Sequence, residues 1–362
     1  MTQIKAAVCH QFGTPLRIET VELRAPNEGE VEVKLGAVAV CHSDISYAEG
    51  AWGGTLPAVY GHEAAGLITK IGNGVIGLCV GDHVVVTMVR ACGRCSPCGS
   101  GRPSICEAVY DKDHGPLSTE DGGVLEHGLN CGAFAEKVVV DHSQVVKIPD
   151  HVSFDVAALL ACGVITGIGA VVNSANVRPG QDVVVIGAGG VGLNTIQGSR
   201  LAGARRIIAI DMTEEKLQVA KEFGATDGIL ATEVKPWKAA KAVLGRGADA
   251  VFVTVGAIPA YDTASRYLAY GGQIVVVGMP KSGEKSYYEP VLMSAVGQGL
   301  IGSKLGDVVI KRDIPWMVDL YHQGRLKLDE LISKRFTLEQ INDAFIDTKS
   351  GSARRNIIVF DV

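Results

Sequence analysis

Val183-Val-Val-Ile-Gly-Ala-Gly-Gly-Val-Gly192 decides how the second half of the chain is read. A run of β-branched residues passes directly into Gly187-Ala-Gly-Gly-Val-Gly192, which satisfies G-x-G-x-x-G, and Val191 to Leu201 continues with helical composition. Runs of this kind suit parallel strands covered on both faces. Three more follow at helix-length spacing: Ile207-Ile-Ala-Ile210, Ala250-Val-Phe-Val253 and Ile274-Val-Val-Val277, with Glu214 to Phe223 as a helical stretch. From about residue 176 onward the expectation is a doubly wound α/β domain.

Each glycine of the motif has its own expected task. Gly187 permits the tight turn, Gly189 lets the backbone approach a pyrophosphate, and Gly192 lets helix and strand pack closely. Gly190 and Val191 open the helix, whose first amides are donors for phosphate. The next apolar run ends in Asp211, 19 residues beyond Gly192. A carboxylate there accepts hydrogen bonds from ribose hydroxyls and repels a 2'-phosphate, so NAD is expected over NADP. Lys216 adds a donor toward the same ribose, although a solvated helix face explains a lysine there nearly as well.

Upstream the pattern differs. Residues 30 to 90 alternate short runs such as Val31-Glu-Val-Lys-Leu35 and His83-Val-Val-Val-Thr87 with glycine-rich turns, which reads as a β-rich domain. After about residue 304, a helical segment (Asp313 to Gln323) precedes a last apolar run, Asn356 to Val362. A chain of 362 residues exceeds one ordinary domain, in keeping with this change of pattern. With 47% apolar and 20% charged residues it reads as a globular enzyme, and 34 basic against 39 acidic residues give no reason to expect nucleic acid as a partner. The N-terminus lacks the apolar region of a secretory signal. Val156 to Val177 carries no charge, but Gly163, Gly167, Gly169, Asn173, Ser174 and Asn176 make it a buried core stretch rather than a membrane span.

Nine cysteines are an odd number, and four of them crowd between positions 92 and 106. That is a poor disulfide framework and fits metal binding in a reducing cytoplasm. Cys92-x2-Cys95-x2-Cys98-x7-Cys106 places four thiols on one short loop that can wrap a tetrahedral ion. Four thiolates saturate Zn2+ and leave no place for substrate, so the expected role is structural. An iron-sulfur cluster lacks the Cys-Pro context of the ferredoxin run here.

Gly61-His-Glu-x2-Gly66-x5-Gly72-x2-Val75 resembles the zinc-containing alcohol dehydrogenase signature of the medium-chain dehydrogenase/reductase family. Cys41-His-Ser-Asp44 and Cys162-Gly-Val-Ile-Thr166-Gly resemble that family's other ligand segments, in the same chain order, and the likeness covers nearly the whole chain. It implies a GroES-like β-rich catalytic domain over 1–163 and 305–362, with an inserted Rossmann NAD-binding domain over 164–304. It implies a catalytic zinc on Cys41, His62 and Cys162 with its fourth place open, a set that spacing alone does not connect. Asp44 is then the partner that fixes the His62 tautomer, Glu63 sits behind the metal, and Ser43 starts the proton path. Thr166, His42 and Arg355 are implied on the cofactor side, with His42 where an arginine often meets the pyrophosphate. Ser46 stands where the family's relay often has a histidine. Met88, Met279 and Lys304 are implied near the substrate channel.

The implied reaction is hydride transfer between NAD(H) and an alcohol, aldehyde or ketone, with a primary, aromatic or medium-sized alcohol expected. The insertion Gly115-Pro-Leu-Ser-Thr-Glu-Asp-Gly-Gly123 leaves a thiol-adduct, formaldehyde-type dehydrogenase as the alternative. Assembly as a homodimer or homotetramer is expected from the family. Zinc-free enoyl or quinone reductases of the same fold lack the Gly-His-Glu segment, and a non-enzymatic dinucleotide binder would have no need of the three ligands.

Overall fold

The computed structural model describes residues 1–110 and 115–361. It divides into two compact units, Met1–Cys162 with Val309–Val362, and Gly163–Val308.

The first unit is built on strands. Glu30–Val40 pairs with Glu63–Ile71, with Lys137–Asp141 and with Arg355–Val359, all antiparallel, and the sheet continues through His83–Thr87 to Val145–Lys147. Val31, Val33, Leu35, Val38 and Val40 are buried with Ile68, Val84 and Val86 in one core. Gly36 is bare because the Phe154 ring lies on it: a Cβ there would stand 2.2 Å from Phe154 Cδ2. A second sheet joins Thr2–Cys9, Arg17–Leu23 and Ala58–Val59.

The second unit is a six-stranded parallel sheet in the order Asp227–Leu230, Arg206–Asp211, Asp182–Ile186, Ala248–Val253, Leu268–Val276, Gly299–Gly302. This is the doubly wound arrangement expected from the apolar runs. Asp182–Ile186 lies in the middle and is buried at every residue. Helix Glu214–Glu222 opens on Thr213, whose side chain accepts the Lys216 N–H, and ends with Phe223 as its cap. Strands Asp227–Leu230 and Gly299–Gly302 were not anticipated, since Asp227, Gly228, Gly299 and Gly302 interrupt their apolar pattern.

The uncharged stretch 156–177 folds into helix Gly163–Gly169, a turn of π-helix over Ala170–Ser174 and the end of helix Phe154–Leu159. Every residue of Gly163–Gly169 is buried. Among the described residues, no helix is long and apolar enough to cross a membrane. The helix expected at Asp313 to Gln323 is Ile310–His322, beginning before Asp313 because the Asp313 carboxylate accepts the Val309 N–H at 3.0 Å and caps the turn, and a further helix, Ile341–Lys349, follows it. The last strand is Arg355–Val359, and Val362 lies outside the described residues.

Candidate metal centre

Cys41 directly follows the strand Glu30–Val40 and caps helix His42–Ala48. The cap is closed by Asp44, whose Oδ2 accepts the Cys41 N–H at 3.1 Å. The other oxygen of the same carboxylate accepts the Gly61 N–H at 3.0 Å and meets His62 Nδ1 at 2.9 Å. Asp44 and His62 are both fully buried. An ionised carboxylate can only accept, so Nδ1 carries a proton and Nε2 is the nitrogen left to ligate when the ring is neutral. That Nε2 has no hydrogen-bond partner among the described residues. Asp44 thus fixes a helix start, a turn and an imidazole at once.

Ligand atoms of Cys41, His62, Glu63 and Cys162 all lie within 4.8 Å of one another, and all four residues are buried. Two sulfurs beside an imidazole nitrogen without a partner are a donor set that fits zinc. The Cys162 thiol, by hydrogen bonding, holds Cys41 well below the usual thiol range against its burial, and the same bond with burial pushes Cys162 up. Burial works against charge on His62, but Asp44 outweighs it and raises the imidazole.

Arg355 is buried as well and pairs with Glu63. The sheet puts it there: Asn356 is opposite Val40, so Arg355 falls beside Cys41. It is therefore not the surface cation that an arginine near a chain end usually is. Burial raises the Glu63 carboxyl to about 7 in spite of the guanidinium, while the carboxylate of Glu63 lifts Arg355 above its ordinary range against burial. The Glu63–Arg355 pair escaped the sequence reading because its members lie at opposite ends of the chain. No local pattern signals it.

The four cysteines between 92 and 106 also bring their sulfurs within 4.8 Å of one another, but each is only half-buried. The loop turns on its own backbone, with Cys95 N–H reaching Cys92 Sγ at 3.3 Å and Cys92 N–H reaching Cys106 Sγ at 3.4 Å. These amide-to-sulfur bonds favour thiolates. Burial opposes that at Cys106, yet the Cys92 and Ala108 amides and the Tyr110 hydroxyl bring it down to about 6.

In the second unit, Gly187 has φ +101, which L side chains rarely adopt, and a Cβ on Gly192 would stand 1.8 Å from the Gly187 carbonyl. A Cβ on Gly189 would meet nothing within 4 Å, so the turn is open where a pyrophosphate would approach. Gly190 and Val191 begin helix Gly190–Leu201. Asp211, buried at its strand end, accepts the Ala188 N–H at 2.6 Å, and Lys216 Nζ stands 3.7 Å from its other oxygen. Thr166 is buried next to Gly167, which comes so close to the Val191 carbonyl that a Cβ would sit 2.5 Å away.

The remaining candidates scatter. Ser43 and Ser46 are half-buried in the helix after Cys41, and His42 is exposed. Met88 is half-buried and lines a cavity of about 210 Å³ inside the first unit. Met279 is 61% exposed, which rules out simple core filling, and Lys304 is exposed; both belong to the second unit.

Residues 27–150 match the family model for the alcohol dehydrogenase GroES-like domain, and residues 190–323 match that for zinc-binding dehydrogenases. The chain is 34% identical to an NDMA-dependent alcohol dehydrogenase of Amycolatopsis methanolica over 98% of each chain. It is 35% identical to S-(hydroxymethyl)glutathione dehydrogenase of Escherichia coli, over 98% of this chain and 99% of the relative. The crystal structure of benzyl alcohol dehydrogenase from Acinetobacter calcoaceticus superposes with a TM-score of 0.93 at 31% identity, covering both chains completely.

Proposed function

Since the chain belongs to the zinc-containing alcohol dehydrogenase family of medium-chain dehydrogenases/reductases, we propose that it oxidises a medium-sized or aromatic primary alcohol with NAD, or reduces the aldehyde, on a zinc ion held by Cys41, His62 and Cys162. The single observation that carries this reading is the buried His62 Nε2, which has no hydrogen-bond partner among the described residues and stands among buried thiols. Bound zinc supplies Lewis acidity toward an alcohol oxygen and bound NAD supplies the hydride acceptor. The chain's own residues do the rest. Asp44 keeps His62 in the tautomer that ligates. Glu63, tied to Arg355, stays close behind the ligands as a carboxylate that can exchange with one of them. Ser43 takes the alcohol proton at its hydroxyl, and with Ser46 next along the helix the proton leaves through water.

Asp211 favours NAD because its carboxylate faces the glycine turn and repels a 2'-phosphate, and Lys216 adds a donor beside it. We assign Thr166, His42 and Arg355 to the cofactor's side, and Met88, Met279 and Lys304 to the channel. The catalytic and NAD-binding domains are read as 1–163 with 305–362, and 164–304. The loop cysteines 92, 95, 98 and 106 hold a second, structural zinc. Nine free thiols suit a reducing cytoplasm. A homo-oligomer formed through the Gly299–Gly302 edge is supported by exposed Leu292 and Leu300 beside it.

The likeness to the Escherichia coli enzyme favours S-(hydroxymethyl)glutathione as a second substrate. NAD-linked turnover of aliphatic alcohols, aryl alcohols and S-(hydroxymethyl)glutathione by the zinc-loaded protein tests both readings. Turnover of the alcohols over the adduct is expected; no turnover of any of them with zinc bound would sink the proposal.

A further inference from the structure

The cavity beside Met88 lies wholly within the first unit, with walls from Tyr47, Gly54, Thr55, Tyr60, Met88 and the segment of Glu126 and Gly128 to Asn130. Its walls are close in chain and register to the metal centre. Tyr60 immediately precedes Gly61-His62, Tyr47 stands one helical turn beyond Ser43, and Met88 follows Thr87, the strand partner of Glu63. At about 210 Å³ it has room for a substituted benzene ring, given that an engineered cavity of roughly 150 Å³ takes up benzene.

Three features set this cavity apart from ordinary core packing. Tyr47 stacks on Tyr60 with ring centroids 6.0 Å apart and takes the edge of Trp52 at 5.1 Å, so the wall is an aromatic cluster. Leu129 and Asn130, side by side in the cavity wall, both hold positive φ, at 55° and 58°, a strained backbone of the kind that persists at binding sites. Tyr60 itself is 3% exposed, and its hydroxyl has no hydrogen-bond partner among the described residues. The ring is held in place because Gly128 is bare: a Cβ there would sit 2.6 Å from Tyr60 Cδ1. Gly54, which lines the same cavity, is the hydroxyl's near neighbour: a Cβ there would stand 4.0 Å from it. A buried hydroxyl without a partner destabilises a fold, and phenylalanine would fill the same space without that loss.

We propose that Tyr60 is a specificity-determining residue whose phenol donates a hydrogen bond to an oxygen substituent on the ring of an aryl alcohol. The substrate class this selects is a ring-hydroxylated or ring-alkoxylated arylmethanol rather than the unsubstituted one. This rests on the alcohol dehydrogenase reading above, which puts the reacting carbon at the zinc and leaves the rest of the substrate to the cavity.

The test compares the zinc-loaded protein with its Tyr60→Phe variant on benzyl, 3- and 4-hydroxybenzyl and 4-methoxybenzyl alcohols with NAD. The wild type should prefer at least one oxygen-substituted alcohol. In Tyr60→Phe the ratio of kcat/KM for that alcohol over benzyl alcohol should fall about tenfold, the worth of one hydrogen bond to a buried group, with the loss carried by KM. The variant should be at least as heat-stable as the wild type, because only an unpaired hydroxyl is removed. A ratio unchanged within about twofold, or a marked loss of stability showing that the hydroxyl is already paired inside the protein, overturns the assignment. Absence of all alcohol turnover in the zinc-loaded wild type would overturn the parent reading instead.

Discussion

The four thiols of the loop from Cys92 to Cys106 come from one short segment and stay half-exposed, whereas Cys41, His62 and Cys162 come from a helix cap, the entry of a strand and the end of the first unit's leading segment, and are buried. The loop has little apolar surface of its own, so an ion would stand in for a core there. The buried set sits on a sheet with an apolar core of its own. Its geometry is fixed by Asp44, which accepts from Cys41, Gly61 and His62. Similar ligands thus serve different ends, depending on whether the fold or the metal does the organising.

The largest effect expected from breaking this contrast is kinetic. Cys41→Ser should lower kcat/KM by about a thousandfold or more, since a Lewis acid contributes several kcal/mol and each decade corresponds to about 1.4 kcal/mol. Steady-state kinetics on the folded variant checks it. Cys98→Ser should act the other way, leaving the molecules that remain folded active while lowering stability by about 4 kcal/mol or more, the range in which loss of a metal falls. Denaturant titration reads that loss.

Asp44→Asn should come next. The amide can still accept from one backbone N–H, but it no longer holds Nδ1–H with a charge, so zinc affinity and activity should drop about 10- to 100-fold. Competition with a chromophoric chelator measures the affinity directly. A drop confined to stability would mean that Asp44 is only a helix cap.

How much of this was legible in the sequence follows the same division. The loop cysteines could be grouped from spacing, and the glycine motif from its place between strand and helix, because in both the partners are neighbours along the chain. The four loop sulfurs lie within 4.8 Å of one another, and a helix opens at Gly190. Cys41, His62 and Cys162 could be joined only through family resemblance, since a sheet brings them together and no spacing rule reaches that far. The pairing of Glu63 with Arg355 was invisible for the same reason: it depends on the register of Asn356 against Val40. Met279 and Lys304 were carried over from the resemblance, and both turn out to be exposed. The strands 227–230 and 299–302 were hidden by glycines that the parallel sheet tolerates.

A smaller effect sharpens the comparison from the side of the second unit. Asp211→Asn removes the charge that faces the glycine turn, and the preference for NAD over NADP should fall about tenfold, or about 1.4 kcal/mol. Ratios of kcat/KM for the two cofactors check it. Zinc content should not change, because Asp211 lies in the unit without the clusters.

The most direct measurement of the central claim is zinc per chain, by elemental analysis of the purified wild type, Cys41→Ser and Cys98→Ser, set beside turnover of the same samples. The account predicts about two ions in the wild type and about one in each variant, with turnover lost only in Cys41→Ser. A Cys41→Ser protein that keeps full turnover and the full zinc content would contradict it.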